Sequence, residues 1–206
     1  MALVKHNNNS ISAVTSVGLT QGKMTLIKEQ TASSSSSISF VDGSSSVVFD
    51  NTYPIYLFKF INIHTSQDNS TFQFNCSSDS GSNYNVTKTT THHYAYHNEG
   101  ASDGTLSVAT GSDLAQSTSD QPLGIGVGSD NDHNLCGELI FFQPSDTTFI
   151  KHFFAKINHS MYHEYSLNSF TGGHMNTTSA IDAIKFNMSS GNIDSGTIKL
   201  FGIKGS

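Results

Sequence analysis

Residues 84–97 read YNVTKTTTHHYAYH, and their alternation decides the fold class. Even positions carry Tyr84, Val86, Tyr94 and Tyr96, with Lys88 as the misfit; odd positions carry Asn85, Thr87, Thr89, Thr91, His93 and His97. A period of two places these sets on opposite faces of a strand, Tyr and Val inward, Thr and His outward. Two further segments repeat the pattern. Phe72, Phe74 and Cys76 oppose Gln73 and Asn75, and Ile184, Phe186 and Met188 oppose Lys185 and Asn187. One apolar and one polar face per strand is the pattern of an antiparallel sandwich.

Outward from these segments, short runs of Val, Ile, Phe, Tyr and Thr alternate with Ser, Gly, Asn and Asp clusters, the signature of strands and turns. Strands are predicted near 24–29, 37–41, 46–49, 55–63, 71–76, 84–97, 105–109, 135–142, 148–158, 168–175, 180–188 and 196–203. The strand at 55–63 is apolar on both sides: Ile55, Leu57, Ile61 and Ile63 on one, Tyr56, Phe58 and Phe60 on the other. Such a strand needs cover on both faces, from a loop of its own chain or from a neighbouring subunit. No stretch holds a 3.6-residue period, and no internal repeat is present. The expected fold is all-β: an antiparallel, jelly-roll-like β-sandwich over residues 24–206, preceded by an extended, polar, Asn-rich arm over residues 1–23.

Composition narrows the function classes. Of 206 residues, 33 are Ser, 20 Thr and 17 Asn, whereas charged residues are only 13%. All ten basic residues are Lys, and the net charge is −6. A chain without Arg and with net negative charge is a poor neutraliser of phosphates, so no nucleic-acid partner is expected. No 18-residue apolar run is present, so no membrane insertion by a helix is expected. The opening MALVKHNNNS lacks an apolar stretch long enough for a secretion signal, which predicts assembly in the cytosol that makes the chain. The two cysteines, Cys76 and Cys136, lie in apolar segments and are expected to be buried free thiols.

Chemical motifs are sparse. The ten histidines include no His-x-His pair. His93 and His97 share a face but lie about 13 Å apart along a strand. His159 and His163 would need a helix, and Asn158 and Ser160 argue for a turn there. The acidic turn Asp130-Asn131-Asp132 has the oxygen density calcium prefers but lacks further ligands in its own segment. No metal and no other cofactor is therefore expected. The glycine cluster Gly124-Ile125-Gly126-Val127-Gly128 has no following Lys and reads as a flexible turn. Gly-x-Ser-x-Gly is absent, and Glu29, Glu99, Glu138 and Glu164 are scattered. No catalytic residue is nominated, and no enzyme is expected. The residues suited to stacking on sugar rings and bonding their hydroxyls are His93, His97, Tyr162, His163 and Tyr165. If all ten histidines titrated near 6.5, mild acid would take the net charge from −6 to +4.

The opening MALVKHNNNSISAVTS, the block QTASSSSSISF at 30–40, FKFINIH at 58–64, GSNYNVT at 81–87 and TTTHHYAYHNEG at 89–100 together have a further reading. With DLAQSTS at 113–119 and NTTSAIDAIKFNMSSGNIDSGTIKLFGI at 176–203, they resemble structural proteins of tailed bacteriophages, most of all those of marine T7-like podoviruses. The likeness runs over nearly the whole chain and is weakest at 98–134. Where those proteins are aromatic-rich, this chain has His92-His93. The resemblance implies a non-enzymatic virion component, either a tail appendage (fibre or spike) or a head decoration, and so a location in the virion. Residues 1–23 would anchor it to the particle through Leu3, Val4, Ile11, Val14, Val17 and Leu19. Its expected partners are further copies of itself, three above other numbers, other virion proteins and host cell-surface polysaccharide. The alternative is a carbohydrate-binding module with no structural role in a particle.

Overall fold

The computed structural model describes residues 24–204. The arm at 1–23, with the six aliphatic residues assigned to docking, lies outside the described residues. Among the described residues there are twelve antiparallel strands: β1 (Met24–Thr31), β2 (Ile38–Val41), β3 (Ile55–Thr65), β4 (Ser70–Ser77), β5 (Lys88–Asn98) and β6 (Gly104–Val108). The second half adds β7 (Gln121–Val127), β8 (Leu135–Phe142), β9 (Lys151–Met161), β10 (Tyr165–Met175), β11 (Ala183–Met188) and β12 (Ile193–Ile203). Among the described residues there is no helix, and hence none long and apolar enough to cross a membrane.

The strands form two layers. The larger runs β1-β12-β3-β8-β9-β10-β5-β6 and the smaller β7-β4-β11-β2, joined at one corner by Val127 and Met161. The pairs β1–β12, β2–β11, β3–β8 and β4–β7 are those of a long hairpin rolled up on itself, which is the jelly-roll connection. The hairpins β5–β6 and β9–β10 are additions to that eight-stranded roll. They extend the larger sheet past β8 and build its far edge.

The core forms where the inner faces meet. Tyr56, Phe58 and Phe60 of β3, Phe72 and Phe74 of β4, Phe141 of β8, Phe153 of β9 and Phe186 of β11 are all buried. Phe74 meets Phe153 edge-on across the layers at 5.0 Å between ring centroids. Edge-to-face contacts of this kind add roughly 0.5–1.5 kcal/mol each beyond the area they bury.

Several local features depart from the sequence reading. Residues 46–49 form no strand: Val47 and Phe49 are buried, but no neighbouring strand lies in register with that segment. The glycine cluster is not a flexible turn, since Gly124–Val127 are the second half of β7. His159 lies within β9, and the turn follows at 162–164, so neither the helix nor the early turn forms. Cys76 is buried as expected, whereas Cys136 is only half-buried; both are free.

The two-sided strand at 55–63 is resolved by a bulge. The β3–β12 register shifts near Asn62, whose φ is +51°, and Gly196 opposite has φ +113°. A Cβ on Gly196 would lie 2.5 Å from the Asn62 carbonyl oxygen, so only glycine lets the strands close there. The slip turns Ile63 into the core and leaves Ile61 exposed, while Leu57, ahead of the bulge, is buried on the outer face between Phe201 and Ile140.

Candidate functional site

The inserted hairpins carry the most distinctive surface. Register places two rows of side chains on the outer face of the larger sheet. One runs Glu138–Lys156–Phe170–His93 and the other Ile140–Phe154–Gly172–Thr91, across β8, β9, β10 and β5. Between them lies a shallow groove of about 460 Å³. Phe170 and His93 are stacked, with centroids 5.1 Å apart and planes 8° from parallel. Lys156 holds its ammonium 5.7 Å from the Phe170 ring centre. Phe154 is 58% exposed, and Phe142 meets its ring edge-on at 5.9 Å. Gly172 keeps the floor open, since a Cβ there would press on the Phe154 ring at 3.2 Å. Glu138 is held at the rim by an ion pair with Lys59. An exposed aromatic surface beside a cation, a carboxylate and the Thr91 hydroxyl is chemically suited to stacking on the apolar face of a sugar ring and bonding its hydroxyls.

Of the five residues nominated from sequence, His93 lines this groove. His97 and Tyr165 line a second cleft of about 400 Å³ at the end of the same strands, with Asn98, Glu99, His133 and Glu164. Tyr165 donates to Asp103 at 3.3 Å and meets Tyr96 edge-on at 5.1 Å, so its ring is committed to packing. Tyr162 and His163 sit at the β9–β10 turn, their ring centroids 3.7 Å apart, and line neither cleft. The fold therefore does not bring the five together. The sequence reading missed Phe154, Phe170, Lys156 and Glu138. Their one sequence signal was the adjacent pair Phe153-Phe154, which must send one aromatic ring outward on any strand.

His133 and Glu164 of the second cleft also come together with Asp130, the potential ligand atoms of the three lying within 4.8 Å of one another. His133 is buried, with one ring nitrogen 3.4 Å from Glu164. The acidic turn thus finds two more donors, His133 just beyond it and Glu164 from the β9–β10 turn. A full coordination shell would require further donors beyond these three.

On the inner side, Leu139, Ala155 and Ile157 are apolar, whereas β5, β10 and the end of β9 bury polar side chains. His92 and His159 are both buried. His159 bonds the Ile125 carbonyl through Nε2 at 2.8 Å, and His92 bonds Thr171 through Nδ1 at 2.9 Å. Burial above all holds both below the ordinary imidazole value, His159 at about 4. At neutral pH both are uncharged packing groups, so the charge change on mild acidification is smaller than the histidine count implies. Compared with protein families, characterised proteins and solved structures, the chain matches none.

Proposed function

We propose that this chain is a non-enzymatic surface component of a tailed-bacteriophage particle, assembled from several copies, whose jelly-roll body presents a glycan-binding groove. The observation that carries the binding part is the stacked Phe170–His93 pair with Lys156 and Phe154 around an open floor. The sequence likeness of the arm and of residues 176–203 to phage structural proteins supports the place on a particle. The hydroxyl- and amide-rich, charge-poor composition suits a rigid assembly closed by repeated interfaces.

Binding of host capsular or lipopolysaccharide fragments, measured by calorimetry, is expected to be saturable and to weaken roughly tenfold in Phe170→Ala. Tyr162→Ala, which alters a side chain outside the groove, is expected to bind as the unaltered protein does. Equal loss in both variants, or no binding at all, would overturn the groove reading.

The twelve described strands draw on residues 24–203 alone. Deleting residues 1–23 is therefore expected to leave the far-UV circular dichroism of a β-protein and to abolish incorporation into particles. Normal incorporation of the truncated protein would overturn the anchoring role of the arm, whereas absence of the full-length protein from particles would favour a free-standing carbohydrate-binding module, a role the same groove would serve equally well.

A further inference from the structure

Lys88, the misfit of the alternating segment, is fully buried, as is Asn75 beside it on β4. The Lys88 ammonium donates to the Asn75 side-chain oxygen at 2.8 Å and to the Ser119 carbonyl at 2.7 Å. That same Asn75 oxygen accepts from the backbone N–H of Cys76 at 2.9 Å. On its other side the Asn75 amide nitrogen donates to Asp120 Oδ1 at 2.8 Å and to the Thr118 carbonyl at 3.0 Å. Asp120 is held in turn by Gln73 and Asn187, with Lys185 3.9 Å away. An amine, a carboxamide and a carboxylate are thus in series, the first two shut away from bulk water and Asp120 partly exposed at the outer end.

From this geometry we infer that Lys88 and Asn75 condense into an intramolecular isopeptide bond, with Asp120 carrying the proton. The uncharged Lys88 amine attacks Cγ of Asn75, and the Nζ–Cγ bond forms. The carbonyl electron pair moves onto Oδ1, where the Cys76 N–H is already aimed, as an oxyanion donor must be. Asp120 takes a proton from Nζ and delivers it to Nδ2. The Cγ–Nδ2 bond breaks, the carbonyl re-forms and ammonia leaves. Asp120 ends as it began, and no oxidant, reductant or second substrate is consumed.

The surroundings favour the uncharged amine. Burial above all pulls Lys88 down to about 8, against the opposing pull of Cys76 and Asp120. The neighbouring Cys76 thiol is pushed up to about 12 by burial and supplies no anion near neutrality to hold the ammonium charged. A desolvated lysine is the nucleophile that amide exchange requires. The product would also have a structural consequence. Asn75 lies in the smaller sheet and Lys88 begins the inserted hairpin of the larger one, so the bond would staple the two layers covalently. This inference stands apart from the glycan-binding reading and shares no residue with the groove.

The test is the mass and tryptic map of the full-length protein after denaturation. The expected chain is lighter than its sequence by one ammonia and is not cut after Lys88. In Lys88→Arg and in Asp120→Ala the mass returns to the sequence value. A chain of full mass that trypsin cuts after Lys88, even after prolonged incubation at pH 8, would overturn the proposal. So would a loss of ammonia that persists in Lys88→Arg, because cyclisation of Asn75 onto its own backbone gives the same loss without Lys88.

Discussion

Phe186→Ala is expected to be the most damaging single truncation in the sandwich, costing about 4 kcal/mol and on the order of 10 °C in melting temperature. Phe186 sits on β11 at the centre of the aromatic cluster. Its ring centroid is 5.1 Å from Phe60, 5.2 Å from Phe58, 5.9 Å from Phe72, 6.3 Å from Phe74 and 6.4 Å from Phe40. These partners come from both layers, on β2, β3 and β4, so the vacated space has no single flexible neighbour to fill it. Large-to-small changes cost most where the surroundings cannot collapse. Phe149→Ala is the matched control: that ring is 69% exposed and should change stability by less than about 0.5 kcal/mol. Urea titrations of both variants decide the point. A Phe186→Ala loss no larger than that of Phe149→Ala would place the centre of the core elsewhere.

Acid is expected to destabilise the protein by about 3 kcal/mol between pH 6.5 and 4, through the buried histidines. His159 binds a proton at about 6.5 when unfolded but only near 4 when folded, because burial penalises its charged form, neighbouring His92 adds repulsion and the Ile125 carbonyl only partly compensates. Across that window the unfolded state binds more protons, so stability falls as pH falls. It is fully present above pH 6.5 and is lost on the way to 4. The gap of roughly 2.5 pH units, at about 1.4 kcal/mol each, sets the magnitude. His92, lowered foremost by burial as well, acts in the same direction. Denaturation at pH 7 and pH 4.5 keeps most exposed carboxylates ionised and isolates the effect. His159→Gln keeps a donor for Ile125 and should flatten the profile. An unchanged slope in that variant would assign the acid sensitivity to other groups.

The β character of this chain was legible because a strand writes its own pattern. Alternate side chains leave opposite faces, so Phe72-Gln73-Phe74 and Ile184-Lys185-Phe186 declare themselves with no knowledge of a neighbour. In 84–97 the alternation was legible only in part: the strand begins at Lys88, Tyr84, Tyr94 and Tyr96 are half-buried, and the buried positions of its inner face are Lys88, Thr90 and His92, whose polarity had concealed their burial. Gly124–Val127 was not legible, because glycine has no side chain to mark a face, and its strand exists through pairing with β4 and, at Val127, with β9. The segment 46–49 failed in the opposite way: Val47, Val48 and Phe49 suit a strand but have no partner edge. The side on which Ile63 falls depended on a bulge shared between Asn62 and Gly196, which are 134 residues apart in the chain.

The candidate sites belong wholly to the tertiary structure. The groove needs Glu138, Lys156, Phe170 and His93 side by side, one from each of four strands. The hydrogen-bonded series needs β4, β5 and the approach to β7 to bring Lys88 and Asp120 each within hydrogen-bonding distance of Asn75. A strand's periodicity states which of its residues share a face. Which strand lies beside it, and in which register, is set by packing and pairing among distant segments, and no single segment of the sequence contains that information.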